Sequence, residues 1–167
     1  EKTNQLGGVF IAAAAPDFKR HDKMLLEWYK TQLAKENIPV NLNTEIKDLS
    51  ELKADAYIVA TGSRPKTIPI EGKEKAIGAI DYLLHTKEVG ENVVIIGGGL
   101  TGCEIAYDLH RQGKKPVIVE MLDDLICTPN LCLANSSFLR DYFKANNVPV
   151  YLNTASKKIS DDSVTVA

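Results

Sequence analysis

The chain has 167 residues, of which 44% are hydrophobic and 25% are charged, the ordinary balance of a folded globular protein. Its 20 Lys and Arg residues against 22 Asp and Glu residues leave a formal net charge of −2, which argues against nucleic acid or an anionic membrane surface as a partner. No apolar run approaches the length of a membrane span, and 3 cysteines without the spacing of a disulfide framework favour a reducing cytoplasm.

The first elements in chain order are a helix and a short strand. Apolar residues recur at helical spacing before residue 37, namely Leu25, Trp28, Tyr29 and Leu33. The phrase Asn-Ile-Pro-Val-Asn-Leu-Asn-Thr at 37–44 then predicts a strand. A second apolar strand is predicted at 54–60, and it ends at Thr61 and Gly62, small residues that permit close approach of the backbone to a ligand. Without further context, Thr61 and Gly62 are equally explained by a plain turn after a buried strand.

The glycine-rich run after residue 92 is the most informative stretch. An apolar strand at 93–96 leads into Gly97-Gly98-Gly99-Leu100-Thr101-Gly102, and a helix is predicted from about 101 to 112. In a dinucleotide-binding turn the first glycine of this spacing allows the tight turn, the second admits the pyrophosphate, and the third lets the helix pack on the sheet. The pyrophosphate would lie on the free amides and the positive dipole end of that helix.

The residue that ends the next strand predicts which nucleotide is bound. The apolar run at 116–119 is followed by Glu120, at the spacing of the acid that holds the adenosine ribose. A carboxylate accepts hydrogen bonds from both ribose hydroxyls and repels a 2′-phosphate, and no Lys or Arg follows it within four residues. The pattern therefore favours NADH over NADPH, with an ordinary solvated acid as the alternative.

An internal duplication connects the two halves. The phrase Asn-Val-Pro-Val-Tyr-Leu-Asn-Thr at 147–154 nearly repeats 37–44, and each copy follows an amphipathic helical pattern. Extending the alignment upstream pairs Glu1 with Glu120. Glu1 is then a ribose acid of a second nucleotide domain whose first strand and glycine turn lie outside the chain.

The combination of motifs resembles a known family. A strand ending in Ala-Thr-Gly at 60–62, a proline-containing link and the glycine turn at 97–102 are similar to the two-dinucleotide-domain flavoproteins of the pyridine nucleotide disulfide reductase type. The phrase Leu-Gly-Gly at 6–8, the alanines and proline at 12–16 and the Trp-Tyr helix resemble the C-terminal half of the 2,4-dienoyl-CoA reductase and 2-enoate reductase group, which are NADH:flavin oxidoreductases built on an Old Yellow Enzyme barrel.

That resemblance implies roles for individual residues. The residues that would bind the cofactor NADH are Gly97, Gly98, Gly99, Leu100, Thr101, Gly102 and Glu120. The FAD side would hold Glu1, Gly7, Gly8, Thr61 and Gly62. Glu104 matches an acid often found near the nicotinamide, although a first-turn acid that complements the helix dipole explains it as well. The family also implies FMN and an iron–sulfur cluster in the parent protein, outside this chain. No side chain here is needed as an acid or base, and no metal site is expected.

The fold predicted from these patterns is α/β, with a Rossmann-like parallel sheet. Residues 1–70 are expected to form part of an FAD-binding domain, 71–90 a linker, and 91–167 an NADH-binding domain truncated at its C-terminus. We expect a piece of a longer oxidoreductase that passes hydride from NADH to FAD, that is inactive alone, and that self-associates through uncovered sheet edges. Two alternatives remain open, a disulfide reductase with its C-x4-C pair upstream, and a non-catalytic nucleotide-binding module.

Overall fold

The computed structural model describes residues 1–129 and 131–167 and divides the chain into two compact units, Glu1–Pro65 and Lys66–Ala167. The first unit is helical where it is regular. Helices α1 (Val9–Ala13) and α2 (Arg20–Lys35) contain 5 and 16 residues, and short 3₁₀ turns lie at Asp17–Lys19 and Leu49–Glu51. The predicted helix before residue 37 is confirmed as α2.

The apolar side of α2 is mostly uncovered within this unit. Trp28 is 53% exposed and Tyr29 is 51% exposed, and no residue of the helix is buried. The close packing lies instead between α1 and the start of α2, because a Cβ on Gly7 would come within 2.8 Å of Ile11 and 2.9 Å of Leu26. Gly7 also has φ of +124°, a conformation that favours glycine.

The two strands predicted in the first unit are wrong. The structure has no strand at 37–44 or at 54–60, and Ile58 is 94% exposed. A strand is defined by ladder hydrogen bonds to a neighbour, and no described segment forms a ladder with 54–60. The apolar pattern at 54–60 is therefore present, but the partner that would bury it is not among the described residues.

The second unit contains a parallel sheet covered by two helices. Its elements in order are α3 (Ala79–Leu83), β1 (Asn92–Ile96), α4 (Leu100–Arg111), β2 (Lys115–Val119), α5 (Leu133–Ala145) and β3 (Val150–Tyr151). The strands are parallel in the order β1-β2-β3, with Val94 opposite Val117 and Ile118 opposite Val150. The α/β class with a Rossmann-like parallel sheet is confirmed.

The core of this unit lies between the sheet and the two helices. Helix α4 buries Cys103, Ala106 and Leu109, which recur every third residue along one side of the helix. Leu109 and Ile118 are fully buried, as is Phe143 of α5. This packing fixes the point at which β1 ends and α4 begins.

A hairpin of β4 (Ser156–Ile159) and β5 (Val164–Val166) completes the unit and holds the segment that was predicted to be a linker. The Ile159 amide donates to the Glu71 carbonyl at 2.8 Å. Gly72 has φ of +78°, and a Cβ there would overlap the Ile159 carbonyl oxygen. The segment that follows residue 65 is thus packed into the second unit.

Helix α3 is anchored to α4 by a buried tyrosine. The Tyr82 hydroxyl donates to Asp108 Oδ2 at 2.8 Å, and Gln112 donates to the same oxygen at 2.8 Å. Burial raises the pKa of Tyr82. None of the helices in the described part of the chain is both long and apolar enough to cross a membrane.

Candidate functional site

The glycine turn lies between β1 and α4, at the carboxyl end of the parallel sheet, and its glycines have different surroundings. Gly97 has φ of +107°, which a residue with a Cβ rarely adopts. A Cβ on Gly102 would overlap the Gly97 carbonyl oxygen and reach Ile95 at 3.3 Å. At Gly99 a Cβ would meet no atom within 4 Å, so the absence of a side chain leaves open space in front of the turn.

The open space at Gly99 lies beside the first turn of α4. Gly99 is the N-terminal capping residue, and no side chain caps the helix. The first amides of a helix have no partner within it, and they carry the positive end of the helix dipole. Leu100 and Thr101 begin this first turn, and Thr101 is exposed. An anion that approaches Gly99 would therefore meet unshielded N–H groups.

Glu120 ends β2 beside this turn and is held in place from two sides. The Gly98 amide donates to its Oε2 at 2.6 Å, and the Leu122 amide donates to its Oε1 at 2.7 Å. Glu120 is only 8% exposed, so it is not the ordinary solvated acid that we considered as the alternative. Each carboxylate oxygen retains acceptor capacity for a ligand hydroxyl.

Gly98 makes room for the residues that support the turn. A Cβ there would lie 2.5 Å from Leu125 Cδ2 and 3.0 Å from Glu120 Cβ. Its carbonyl oxygen accepts from the Ile126 amide at 2.8 Å and from the Cys103 thiol at 3.3 Å. Both polar backbone atoms of Gly98 thus have protein partners, so Gly98 supports the turn from within.

The three cysteines differ in environment. Cys103 is fully buried behind the turn, and burial raises the pKa of its thiol to about 12, so it stays a neutral packing group. Cys127 and Cys132 are exposed free thiols in the loop before α5. Asn130, between them, lies outside the described residues. Within the described residues, no group of three or more His, Cys, Asp or Glu side chains could hold a metal ion.

Glu104 lies on α4, two residues beyond Gly102, and is partly buried. In the first unit, Glu1 is exposed and its Oε1 accepts from the Thr3 amide at 2.8 Å and from the Thr3 hydroxyl at 2.9 Å. These hydrogen bonds lower the pKa of Glu1. Gly62 has φ of +73° with open space around it, and Thr61 is exposed.

The duplicated phrases share a left-handed backbone at the same two asparagines in each unit. The paired asparagines Asn37 and Asn147, and likewise Asn43 and Asn153, all have φ between 51 and 54°. Asparagine tolerates this left-handed region better than other residues with a side chain. The sequence repeat is therefore also a structural repeat.

The acids aligned by the repeat have matching partners. The nitrogen of each acid donates to a carbonyl oxygen in the repeated phrase of its own unit, Glu1 to Asn41 and Glu120 to Tyr151. Two amides of that phrase donate back to carbonyl oxygens at or near the acid: Asn43 to Thr3 and Thr44 to Glu1 in the first unit, and Asn153 to Leu122 and Thr154 to Glu120 in the second. In both units one carboxylate oxygen accepts the amide two residues later. Glu1 thus occupies in its unit the position that Glu120 occupies in the other.

Sequence reasoning missed one part of the site. Arg140 of α5 donates to Asp124 and to the Leu125 carbonyl oxygen, in the loop that contacts Gly98. These contacts join residues 15 and 16 positions apart. No motif in the sequence marks them, because neither the spacing nor the residue types differ from those of an ordinary helix surface.

A cleft of about 570 Å³ lies at the opposite, amino end of the sheet, where His110, Lys114 and Lys115 line it together with Asn92 and Asn146. It contains none of the glycine turn residues and no helix N-terminus. We therefore place the candidate site at the carboxyl end of the strands, where ligands bind in open α/β sheets.

Comparison with known proteins places the chain in a family. Residues 47–167 match the family model described as pyridine nucleotide-disulphide oxidoreductase. The chain is 41% identical to the cinnamate reductase of Clostridium sporogenes over 165 aligned residues. The alignment covers 97% of this chain and 25% of that protein. It is 37% identical to the NADH oxidase of Thermoanaerobacter brockii over 133 aligned residues, and this alignment covers 75% of this chain and 20% of that protein.

The solved structures agree on the fold. A complex of 2-naphthoyl-CoA reductase with 2-naphthoyl-CoA superposes with a TM-score of 0.86 over 99% of this chain and 26% of that one, at 24% sequence identity. The chain therefore spans about a quarter of the length of these relatives. The predicted resemblance is confirmed, and the chain belongs to the pyridine nucleotide-disulphide oxidoreductase family.

Proposed function

We propose that residues 66–167 hold NADH at the carboxyl end of the sheet, within a larger flavin-dependent oxidoreductase. This proposal rests on the observation that the glycines of the turn are required for different reasons. Gly97 and Gly102 are required by conformation and packing, whereas Gly99 is required by nothing in the protein and opens onto the first turn of α4. An open glycine beside helix amides is the arrangement that admits a pyrophosphate.

Glu120 selects the nucleotide in this proposal. Its carboxylate is fixed by the Gly98 and Leu122 amides, so it faces a ligand without having to reorganise. It would accept hydrogen bonds from the two hydroxyls of the adenosine ribose, and its charge would repel a 2′-phosphate. We therefore propose NADH as the preferred nucleotide, with Leu100, Thr101 and Glu104 lining the path of the dinucleotide along α4.

The first unit would contribute to an FAD site. The repeated hydrogen bonds around Glu1 and Glu120 support Glu1 as the ribose acid of FAD. Gly7 and Gly8 would lie at the start of α1, and Thr61 and Gly62 would allow close approach of backbone to the flavin nucleotide. Because the chain contains no second glycine turn of this spacing, we expect it to retain no FAD by itself.

A nicotinamide bound here would supply a hydride to a flavin in the parent protein. The residues of this chain orient the dinucleotide: the α4 amides neutralise its phosphates, and Glu120 fixes its adenosine end. The similarity to a cinnamate reductase supports an enoate or enoyl-CoA C=C bond as the final acceptor. FMN and an iron–sulfur cluster would lie in the parts of the parent outside this chain.

The deciding experiment has two parts. Calorimetric titration of this chain with NADH, NADPH and ADP-ribose should give a lower Kd for NADH than for NADPH, and similar values for NADH and ADP-ribose. Tighter binding of NADPH would contradict the role of Glu120. Stopped-flow oxidation of NADH by the full-length parent separates an enzyme from a binding module, since a module would bind the nucleotide without oxidising it.

We also propose that the isolated chain self-associates. Ile58 is 94% exposed, Val59 is 72% exposed, and Trp28 is 53% exposed, so large apolar side chains are available for contact with another copy. Sedimentation velocity should detect dimers or larger species at micromolar concentration, and a purely monomeric boundary would contradict this. A cytoplasmic location is proposed from the unpaired thiols.

A further inference from the structure

We propose that Arg140 is a positioning residue for the nucleotide turn, an inference that rests on the NADH site proposed above. Arg140 projects from α5 and binds the loop that follows β2 through two hydrogen bonds and one further ion-pair contact. Its Nε donates to Asp124 Oδ1 at 3.0 Å, its Nη2 lies 3.0 Å from Asp124 Oδ2, and Nη2 also donates to the Leu125 carbonyl oxygen. One guanidinium therefore restrains both the side chain and the backbone of consecutive residues.

Ile126, which follows the two residues bound by Arg140, has a strained backbone. Ile126 has φ of +54°, which is unusual for a residue with a branched Cβ and is kept only where the surroundings impose it. Its amide donates to the Gly98 carbonyl oxygen at 2.8 Å, and its side chain is buried. Arg140 holds the two residues before Ile126, so it contributes to keeping this conformation.

Ile126 connects the loop bound by Arg140 to the proposed binding surface at Gly99 and Glu120. Gly98 is bonded on one side to Ile126 and on the other to Glu120, and Leu125 packs where a Gly98 Cβ would lie. If the Asp124–Ile126 loop relaxed, the Gly98 carbonyl would lose the Ile126 amide and keep only the Cys103 thiol, and the packing contact with Leu125 would also be lost. The orientation of the neighbouring Gly99 amide edge and of the Glu120 carboxylate would then no longer be fixed before ligand arrives.

A purely stabilising role is the competing explanation. The ion pair is partly exposed, with 31% of the Arg140 side chain and 53% of the Asp124 side chain accessible, and such pairs contribute little to the stability of the whole fold. The contacts are instead concentrated on the loop behind the turn. A positioning role predicts a change in nucleotide affinity that is larger than the change in melting temperature would suggest.

The test compares Arg140→Gln and Arg140→Lys with the unmutated chain, and Arg111→Gln is the matched control on the neighbouring helix, where the guanidinium lies over the Tyr107 ring. Calorimetry with ADP-ribose, well below each melting temperature, should give a Kd raised on the order of tenfold for Arg140→Gln. The Kd of Arg140→Lys should lie between those of the unmutated chain and Arg140→Gln, because an ammonium keeps the charge but lacks the planar fork of a guanidinium. Arg111→Gln should bind ADP-ribose with the same Kd as the unmutated chain.

A second readout needs no nucleotide. Hydrogen–deuterium exchange at the Ile126 amide should be faster in Arg140→Gln and unchanged in Arg111→Gln. If Arg140→Gln does not fold, Asp124→Asn removes the same pair from the other side and should raise Kd and exchange in the same direction. An unchanged Kd for ADP-ribose or unchanged exchange at Ile126 overturns the positioning role. No ADP-ribose binding by the unmutated chain overturns the proposed function, and this inference with it.

Discussion

Replacement of Gly99 by valine should abolish nucleotide binding and leave the fold intact. Gly99 has φ of −68° and ψ of 176°, a conformation that any residue adopts. Its Cβ position has no neighbour within 4 Å. The new side chain would therefore enter open space rather than the protein core, and that space is where the pyrophosphate is proposed to lie.

The structure sets the size of both effects. Glycine replaced at a compatible φ stabilises a protein by about 0.4–1 kcal/mol through the unfolded state. Valine is a poor residue at a helix N-terminal cap, where such changes cost about 0.5–2 kcal/mol. The free energy of unfolding should thus change by no more than about 1.6 kcal/mol. Loss of the phosphate contacts should raise the Kd for NADH by on the order of a hundredfold or more, which is about 2.8 kcal/mol.

The assay combines calorimetry with thermal melting followed by circular dichroism. Gly90→Val is the matched control, because Gly90 also has open space at its Cβ position but precedes β1 at the other end of the sheet. We expect both variants to melt near the unmutated chain and only Gly99→Val to lose NADH. A Gly99→Val variant that melts normally and binds NADH with unchanged affinity would refute the phosphate-binding role of the turn.

Three further predictions follow from the same geometry. Glu120→Ala should weaken NADH binding by about 1–3 kcal/mol while NADPH binding is reduced less or improves, and equal losses for the two nucleotides in calorimetry would contradict ribose selection. Gly102→Ala should lower the free energy of unfolding by about 1–3 kcal/mol in urea denaturation, since its Cβ would overlap the Gly97 carbonyl oxygen; a neutral result would mean that α4 shifts freely on the sheet. The Arg140 guanidinium lowers the pKa of Asp124 below its ordinary value, so the stability that Asp124 contributes is present above that ordinary pKa and is lost as pH falls through the lower folded pKa. The difference in melting temperature between Asp124→Asn and the unmutated chain should accordingly be constant at neutral pH and shrink in acid, and a difference that grows in acid would reverse the sign of this assignment.

Local sequence determined the glycine turn and the elements around it. Strand β1, helix α4 and strand β2 form where the apolar periods and Gly97, Gly99 and Gly102 predict them. These signals are readable because each depends on neighbours within a few residues: a strand alternates, a helix repeats, and a turn with positive φ needs glycine. The spacing to Glu120 is readable for the same reason, since one strand–helix–strand unit has a nearly fixed length.

The tertiary structure decided which patterns were realised. The phrase at 147–154 contains β3 because β2 lies beside it, whereas the nearly identical phrase at 37–44 forms no strand. The apolar run at 54–60 likewise stays exposed without a partner. Strand formation requires hydrogen bonds from a second segment, and that segment is not encoded in the run itself.

The tertiary structure also decided how Glu120 is presented. The sequence placed an acid at the end of β2, but only the folded chain brings the Gly98 and Leu122 amides to its two oxygens, and Arg140 to the loop behind them. These contacts join residues 2 to 22 positions apart. The sequence thus determined which residues can bind a dinucleotide, and the packing of α4, α5 and the intervening loop determined how those residues are held, because orientation depends on neighbours that are distant along the chain.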